Sequence, residues 1–348
     1  MLKKFKQATL RSLKTSGLST LVQNSRWRRQ RLLILAYHGV SIDDEHLWNG
    51  SMYLSRPLFR ARLETIAKSG CAVLPFAEAL TRLYANDLPE RSVAITFDDG
   101  NFDFQQNAFP LLKEFGFPAT LYLTTFYSQY NKPIFGIFCE YLLWKGRGAT
   151  LDLKKLTGGD LKLELSSAAA RETAFREIAA FVTSQRLSAE EKTALAEELT
   201  LQLQLDWETL TEKRIMHLLR PEEAKQLAAD GIDIQLHTHR HRTPLDRQLF
   251  LREIEDNRKS IQSMTGILPS HFCYPSGVHD QRFLPWLRDA RIISATTCNA
   301  GFASRRSNPL LLPRFLDNTA LSPIEFESWL TGVSAALPRR RERRERVA

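Results

Sequence analysis

Short apolar runs recur along the chain at 32–37 (LLILAY), 92–97 (SVAITF), 119–124 (ATLYLT), 232–236 (IDIQL), 271–274 (HFCY) and 292–297 (IISATT). Their length and their Val, Ile, Phe and Tyr content predict buried strands. Between most of them, residues 57–69, 74–86, 105–115, 246–264 and 280–291 carry Leu, Phe and Ile at three- and four-residue spacing, the period of an amphipathic helix. Strands alternating with helices predict an α/β fold with a parallel sheet and helices outside it, as an open sheet or a barrel. Residues 151–230 break the rhythm. They are rich in Ala, Leu, Glu and Lys, as in SAEEKTALAEELTLQLQL, and contain no convincing strand. They predict a helical insertion in the α/β body.

Composition changes this picture little, but the placement of charge does. Hydrophobic residues make up 43% and charged residues 25% of the 348, ordinary for a globular protein with ample core. The formal charge of +9 is carried at the two ends. Residues 1–31 hold nine Lys or Arg and no acid, and residues 338–348 hold six Arg against two Glu, so residues 32–337 are left at −4. A nucleic-acid channel would spread Lys and Arg over the folded surface, so no nucleic-acid partner is expected. The first segment interleaves Leu2, Phe5, Leu10, Leu13 and Leu21 with its basic residues, as a basic amphipathic leader does. Such a leader either lies on an anionic membrane surface or packs on the domain as a solvated helix. It lacks the 7–15-residue apolar core of a signal peptide. No apolar run reaches the ~20 residues of a membrane span. The tail PRRRERRERVA predicts disorder. The four cysteines (Cys71, Cys139, Cys273, Cys298) are scattered and indicate neither a disulfide framework nor a zinc knuckle.

The polar residues collect at strand ends. Asp98 and Asp99 follow 92–97, His38 follows 32–37, His237, His239 and His241 follow 232–236, and Tyr274 ends 271–274. In parallel α/β folds the strand C-termini open on one face, which carries the active site. A histidine after a strand is ordinarily a turn residue, and Asp-Asp-Gly ordinarily a turn. Three histidines within five residues, with a carboxylate pair elsewhere on the rim, favour a metal site of oxygen and imidazole ligands. His237 and His241 have the spacing of two ligands on one side of a turn, with His239 pointing elsewhere. One carboxylate and two imidazoles suit Zn²⁺, with Co, Ni or Mn as alternatives. Such an ion would relieve the repulsion between the two aspartates. Asp98 would stay ionised and take a proton from the activated water.

TFDDG at 96–100 and HTHRH at 237–241, which fits H-[ST]-x-x-H, resemble the first two motifs of the polysaccharide deacetylases, the NodB-homology family of carbohydrate esterases. The resemblance spans about residues 32–320, interrupted by 151–230. It implies a distorted (β/α) barrel of fewer than eight strands and metal-dependent hydrolysis of N-acetyl, sometimes O-acetyl, groups on a sugar. By the same resemblance Asp98 is the general base, and Asp99, His237 and His241 hold the metal. Tyr274 in CYPSG resembles the third motif, whose tyrosine lines the groove and whose N–H stabilises the oxyanion. Two features depart from the family pattern. His271-Phe272-Cys273 stand where many members have an arginine that orients the base, a role Arg314 in LLPRF could fill. No histidine follows residue 279, whereas many members have a late one that serves as general acid. A branch with circularly permuted motifs places that acid on the first strand, which implies His38.

The resulting expectation is a hydrolase removing N-acetyl groups from an acetylated oligo- or polysaccharide. Its rivals are a deacylase or deformylase of a lipid-linked sugar, which the basic leader would suit, and a non-catalytic glycan-binding derivative. The intact Asp98, Asp99, His237 and His241 set argues against a mere binder.

Overall fold

The computed structural model describes residues 2–129 and 132–336. The charged segment 338–348 lies outside them. Twelve strands occur among the described residues: β1 (Arg31–Tyr37), β2 (Gly39–Val40), β3 (Tyr53–Leu54), β4 (Val93–Phe97), β5 (Thr120–Leu123), β6 (Thr150–Asp152), β7 (Lys162–Glu164), β8 (Asp233–Leu236), β9 (His271–Cys273), β10 (Ser294–Thr296), β11 (Ala303–Ser304) and β12 (Phe315–Leu316). The main sheet runs β10-β9-β8-β5-β4-β1, all parallel, with β11 added antiparallel to the start of β1. The segment ending in β12 closes it. Leu312 exchanges backbone hydrogen bonds with Ala295 and Thr297 beside β10, and β12 then pairs with Leu35 and Ala36 of β1. Seven parallel strands thus form a small distorted barrel, with one antiparallel strand outside the ring.

Strand alternation divides the core. Leu33, Leu35, Tyr37, Val93, Ile95, Phe97, Ile234, Leu236, Phe272 and Tyr274 pack outward with the surrounding helices. Leu32, Ile34 and Ala94 meet Phe76, Leu80 and Leu83 of the helix Phe76–Ala85, which fills one end of the barrel. Each strand thereby continues one residue set inward and upward: Ala94, Thr96, Asp98 on β4, and Gln235, His237 on β8.

A second apolar core holds residues from Phe138 to Met216 and reaches Tyr53 of β3. This unit starts with the helix Phe135–Lys145, ahead of the 151–230 range read from composition. The helix Pro221–Ala229, inside that range, packs on the barrel instead. The unit also contains the hairpin β6–β7, which the sequence did not reveal because its strands, TLD and KLE, are short and half polar. The leader folds as three helices, Leu2–Thr15, Leu18–Gln23 and Arg26–Arg29, the first packed against the helix Pro323–Thr331. Leu10 is buried there, and Lys6 and Lys14 pair with Glu325 and Glu327. Among the described residues no helix is long and apolar enough to cross a membrane.

Candidate active site

β4 carries Asp98 and Asp99 past the sheet edge, where the chain reverses at once. Asp99 takes φ 70°, and Gly100 follows at φ 85°. A left-handed conformation costs a non-glycine residue of order 1 kcal/mol. Here it is held by Thr124 N–H donating to the Asp99 carbonyl at 3.1 Å and by Leu219 N–H donating to Gly100 at 2.9 Å. Thr238 (φ 62°) and His241 (φ 53°) in the loop after β8 share this conformation. Glu253 braces that loop, accepting from Arg240 N–H at 2.8 Å and Arg242 Nε at 2.7 Å. Positive φ at three non-glycine residues around one cluster marks a geometry imposed by the surroundings.

The two aspartates turn to different partners. Asp98 meets Arg314, which arrives from the segment leading into β12. Its guanidinium donates from Nη1 to Oδ1 at 2.6 Å and from Nη2 to Oδ2 at 2.7 Å. Arg314 is fully buried and also donates to the Thr297 carbonyl (3.1 Å), Thr96 Oγ1 (3.2 Å) and Cys273 Sγ (3.1 Å). Burial alone would raise the Asp98 carboxyl, but the adjacent guanidinium outweighs it and holds the group below the usual carboxylate range. Asp98 therefore stays ionised at neutral pH.

Asp99 faces the histidines. Its Oδ1 lies 3.2 Å from Nε2 of both His237 and His241. The three ligand atoms lie within 4.8 Å of one another. His237 Nδ1 sits 2.9 Å from the Cys273 carbonyl, so the neutral ring carries its proton there and turns the Nε2 lone pair toward Asp99. Asp99 Oδ1 is buried without a hydrogen-bond partner. Lone pairs converging on a buried, unpartnered carboxylate oxygen fit a divalent cation, and the donor set of one oxygen and two imidazoles fits zinc or its neighbours. Against burial, the His241 and His237 rings hold Asp99 well below its ordinary range, while Asp99 outweighs burial at His241 and raises that imidazole. Asp98, His237 and Cys273 form a second cluster of the same size. There the Arg314 guanidinium already bonds Asp98 and Cys273, so the positive charge is supplied by the chain itself.

His38 stands at the end of β1 with Nε2 3.9 Å from Asp98 Oδ2. It is thus beside Asp98, close enough for one oxygen atom to bond both. His239 turns from the cluster, with Nδ1 2.8 Å from Thr125 Oγ1.

Tyr274 requires a correction. Its ring packs outward between Phe272 and Phe283, its hydroxyl donates to the Leu310 carbonyl at 3.0 Å, and its N–H donates to Thr296 at 3.2 Å. Neither ring nor amide faces the rim. The alternation predicts this, since Tyr274 is two residues from the outward-facing Phe272. Sequence reading also missed Cys273, which serves His237 through its carbonyl and Arg314 through its thiol, and Asp103, a buried carboxyl behind the rim. The period-two step from His271 to Cys273 was the available signal for the first. A single Asp in a helix gave none for the second.

Comparison with known proteins agrees with this geometry. The fold is that of Streptococcus pyogenes deacetylase PplD, solved in complex with acetate (TM-score 0.55, 19% identity, 85% of this chain and 96% of that one). It is also that of IcaB from Ammonifex degensii (TM-score 0.52, 17% identity, 86% and 97%). The putative polysaccharide deacetylase YxkH of Bacillus subtilis (strain 168) is 34% identical over 94 residues, 27% of this chain and 32% of that protein's length. The sequence model of the family described as polysaccharide deacetylase matches residues 85–143 and 176–292, leaving out part of the second-core unit. Those residues exceed half the chain and include Asp98, Asp99, His237 and His241 at the rim. The chain therefore belongs to the polysaccharide deacetylase family.

Proposed function

We propose that the protein is a metal-dependent N-deacetylase acting on a sugar residue of a bacterial-type polysaccharide or glycan intermediate. The observation that carries this reading is the juxtaposition of two unlike carboxylates. One is locked and ionised by Arg314, and the other is left as a buried acceptor among two imidazoles. In this reading residues 32–320 form the catalytic domain. Asp99, His237 and His241 hold the ion, zinc before Co, Ni or Mn. Bound there, a divalent ion polarises the acyl oxygen and makes water more acidic.

The chain's own residues do the rest. Asp98 accepts a proton from the attacking water while the water oxygen bonds to the acyl carbon. Arg314 keeps the carboxylate ionised and aimed. The amine is a poor leaving group until protonated. His38, 3.9 Å from Asp98, gives a proton to the nitrogen as the C–N bond breaks, and is recharged by the proton Asp98 has taken. One water is consumed, and acetic acid and the free amine result, the acid passing its proton to the amine to leave acetate and an ammonium group.

A second reading, deacylation of a lipid-linked sugar at a membrane surface, is favoured by one feature. Phe5 and Leu21 of the leader are 73% and 69% exposed, among lysines and arginines. The test is acetate release from N-acetylated oligosaccharides by chelated protein, before and after metal is added back. Metal-restored release supports the first reading. Turnover confined to lipid-linked acyl sugars would replace it with the second. Absence of acetate with all four metals, or release unaffected by complete chelation, would overturn the metal-dependent deacetylase.

A further inference from the structure

His38 is followed directly by β2, and the position of β2 decides where its imidazole stands. One edge of β2 is tied to β3: Gly39 N–H donates to Met52 at 3.1 Å, and Ser41 N–H to Leu54 at 2.9 Å. The other edge is gripped by side chains. Asn107 Nδ2 donates to the carbonyls of Val40 (3.2 Å) and Ser41 (2.8 Å). The Asp103 carboxyl faces the Val40 N–H. Asp103 and the Tyr53 ring press so closely on Gly39 that a Cβ there would lie 2.5 Å from Asp103 Oδ2 and 2.4 Å from the ring. Only a glycine allows that approach.

Asp103 and Asn107 sit one turn apart, at the start and within the short π-helical turn Phe104–Ala108. That turn continues the segment that carries Asp98 and Asp99. One stretch of ten residues therefore holds the base, a metal ligand and both side chains that grip the strand after His38. Asp103 is buried with Oδ1 lacking a hydrogen-bond partner, an arrangement that costs stability. Burial, with Glu45 and Asp99 nearby, holds its carboxyl well above the ordinary range.

We propose that Asp103 and Asn107 are positioning residues that fix His38 against Asp98 by clamping β2. This rests on the reading of His38 as the proton donor. A misplaced donor should matter only where the leaving group needs a proton. An amine does, whereas a nitrophenolate leaves without one.

The experiment compares an N-acetylated oligosaccharide with 4-nitrophenyl acetate, using zinc-loaded protein with metal content measured. Asp103→Ala and Asn107→Ala should each lose ~10–10²-fold in kcat on the amide, with KM little changed. Both should keep their zinc and their aryl-ester turnover. Asp103→Asn, which preserves an acceptor for Val40, should recover most of the amide activity. In histidine-labelled, metal-free protein the His38 ring signals should shift in Asp103→Ala and not in Asp103→Asn. His38→Ala serves as reference. If it shows no amide-selective loss, the proton-donor reading fails and the clamp with it. If His38→Ala is amide-selective but Asp103→Ala and Asn107→Ala lose both substrates equally, or neither, the clamp alone is overturned. Should Asp103→Ala fail to fold, Asn107→Ala decides.

Discussion

The rim divides at the peptide bond between Asp98 and Asp99 into two regions built on opposite principles. Toward β12, Asp98 is neutralised by a cation the chain supplies, Arg314, through two short bonds in a fully buried setting. Toward β8, Asp99 is offered two imidazoles and keeps an oxygen without a hydrogen bond. The residue type is the same, the desolvation is similar, and the compensation differs. A carboxylate next to a fixed guanidinium can be reused as a base, because its charge does not depend on an exchangeable ion. A carboxylate facing lone pairs is balanced only when a cation or a proton arrives. Adjacent residues acquire separate tasks from what the fold brings to each.

The strongest way to break this comparison is on the β8 side. Asp99→Ala, His237→Ala and His241→Ala should each lose bound metal and activity together, because a three-ligand site loses most of its affinity with one donor gone. His239→Ala, bonded to Thr125, should keep both. Full metal occupancy in His241→Ala, measured by elemental analysis, would refute the ligand set.

On the β12 side the effect should be large on turnover and absent from metal content. Asp98→Asn should lose ~10²–10⁴-fold in kcat while holding its zinc. It also strands Arg314, and breaking a buried pair from one side costs ~3–5 kcal/mol. Asp98→Asn combined with Arg314→Met should regain much of that stability without regaining activity. A denaturation cycle in which the two changes simply add would show that the pair does not couple.

The smallest effect is in pH dependence, and it sharpens the contrast. In metal-free protein, Asp99 raises His241 above its ordinary 6.5, while His241 and His237 lower Asp99 below 3.8. A raised histidine contributes stability below about 6.5 that is lost as pH rises through its folded value. A depressed carboxylate contributes above about 3.8, and that is lost as pH falls through its folded value. The stripped protein should therefore lose melting temperature as pH climbs above about 6.5. The zinc form should gain relative to it, since the ligating imidazole must be neutral; at a hundredfold excess over Kd the stabilisation is ~2.7 kcal/mol. Parallel melting curves for the two forms across that range would contradict the assignment.

The contrast between legible and hidden features follows the same dividing line. Six barrel strands were visible as apolar runs, and the Asp pair and the histidine triplet stood out because they interrupt such runs. β12 was not visible. It has two residues, and its role in closing the barrel depends on Leu312 meeting Ala295 and Thr297. The hairpin β6–β7 was hidden by polar residues, and the second core begins before the compositional break because the helix Phe135–Lys145 looks like any buried helix. Tyr274 was misplaced for a different reason. Its neighbours in sequence gave it the right motif, but the two-residue step from Phe272 turned it outward.

What the sequence determined by itself is whatever is written locally: strand and helix periods, and motifs whose residues are neighbours in the chain. Those suffice for the fold class, the family and the β8-side cluster with Asp99. The tertiary structure decided everything that depends on contacts between distant segments. Arg314 reaches Asp98 across 216 positions, and Asn107 reaches back to Val40 across 67. His38 and Arg314 both lie outside the residues the family model matches. Closing the barrel is what joins them to Asp98, because only a closed ring brings its first strand and its last beside the same carboxylate.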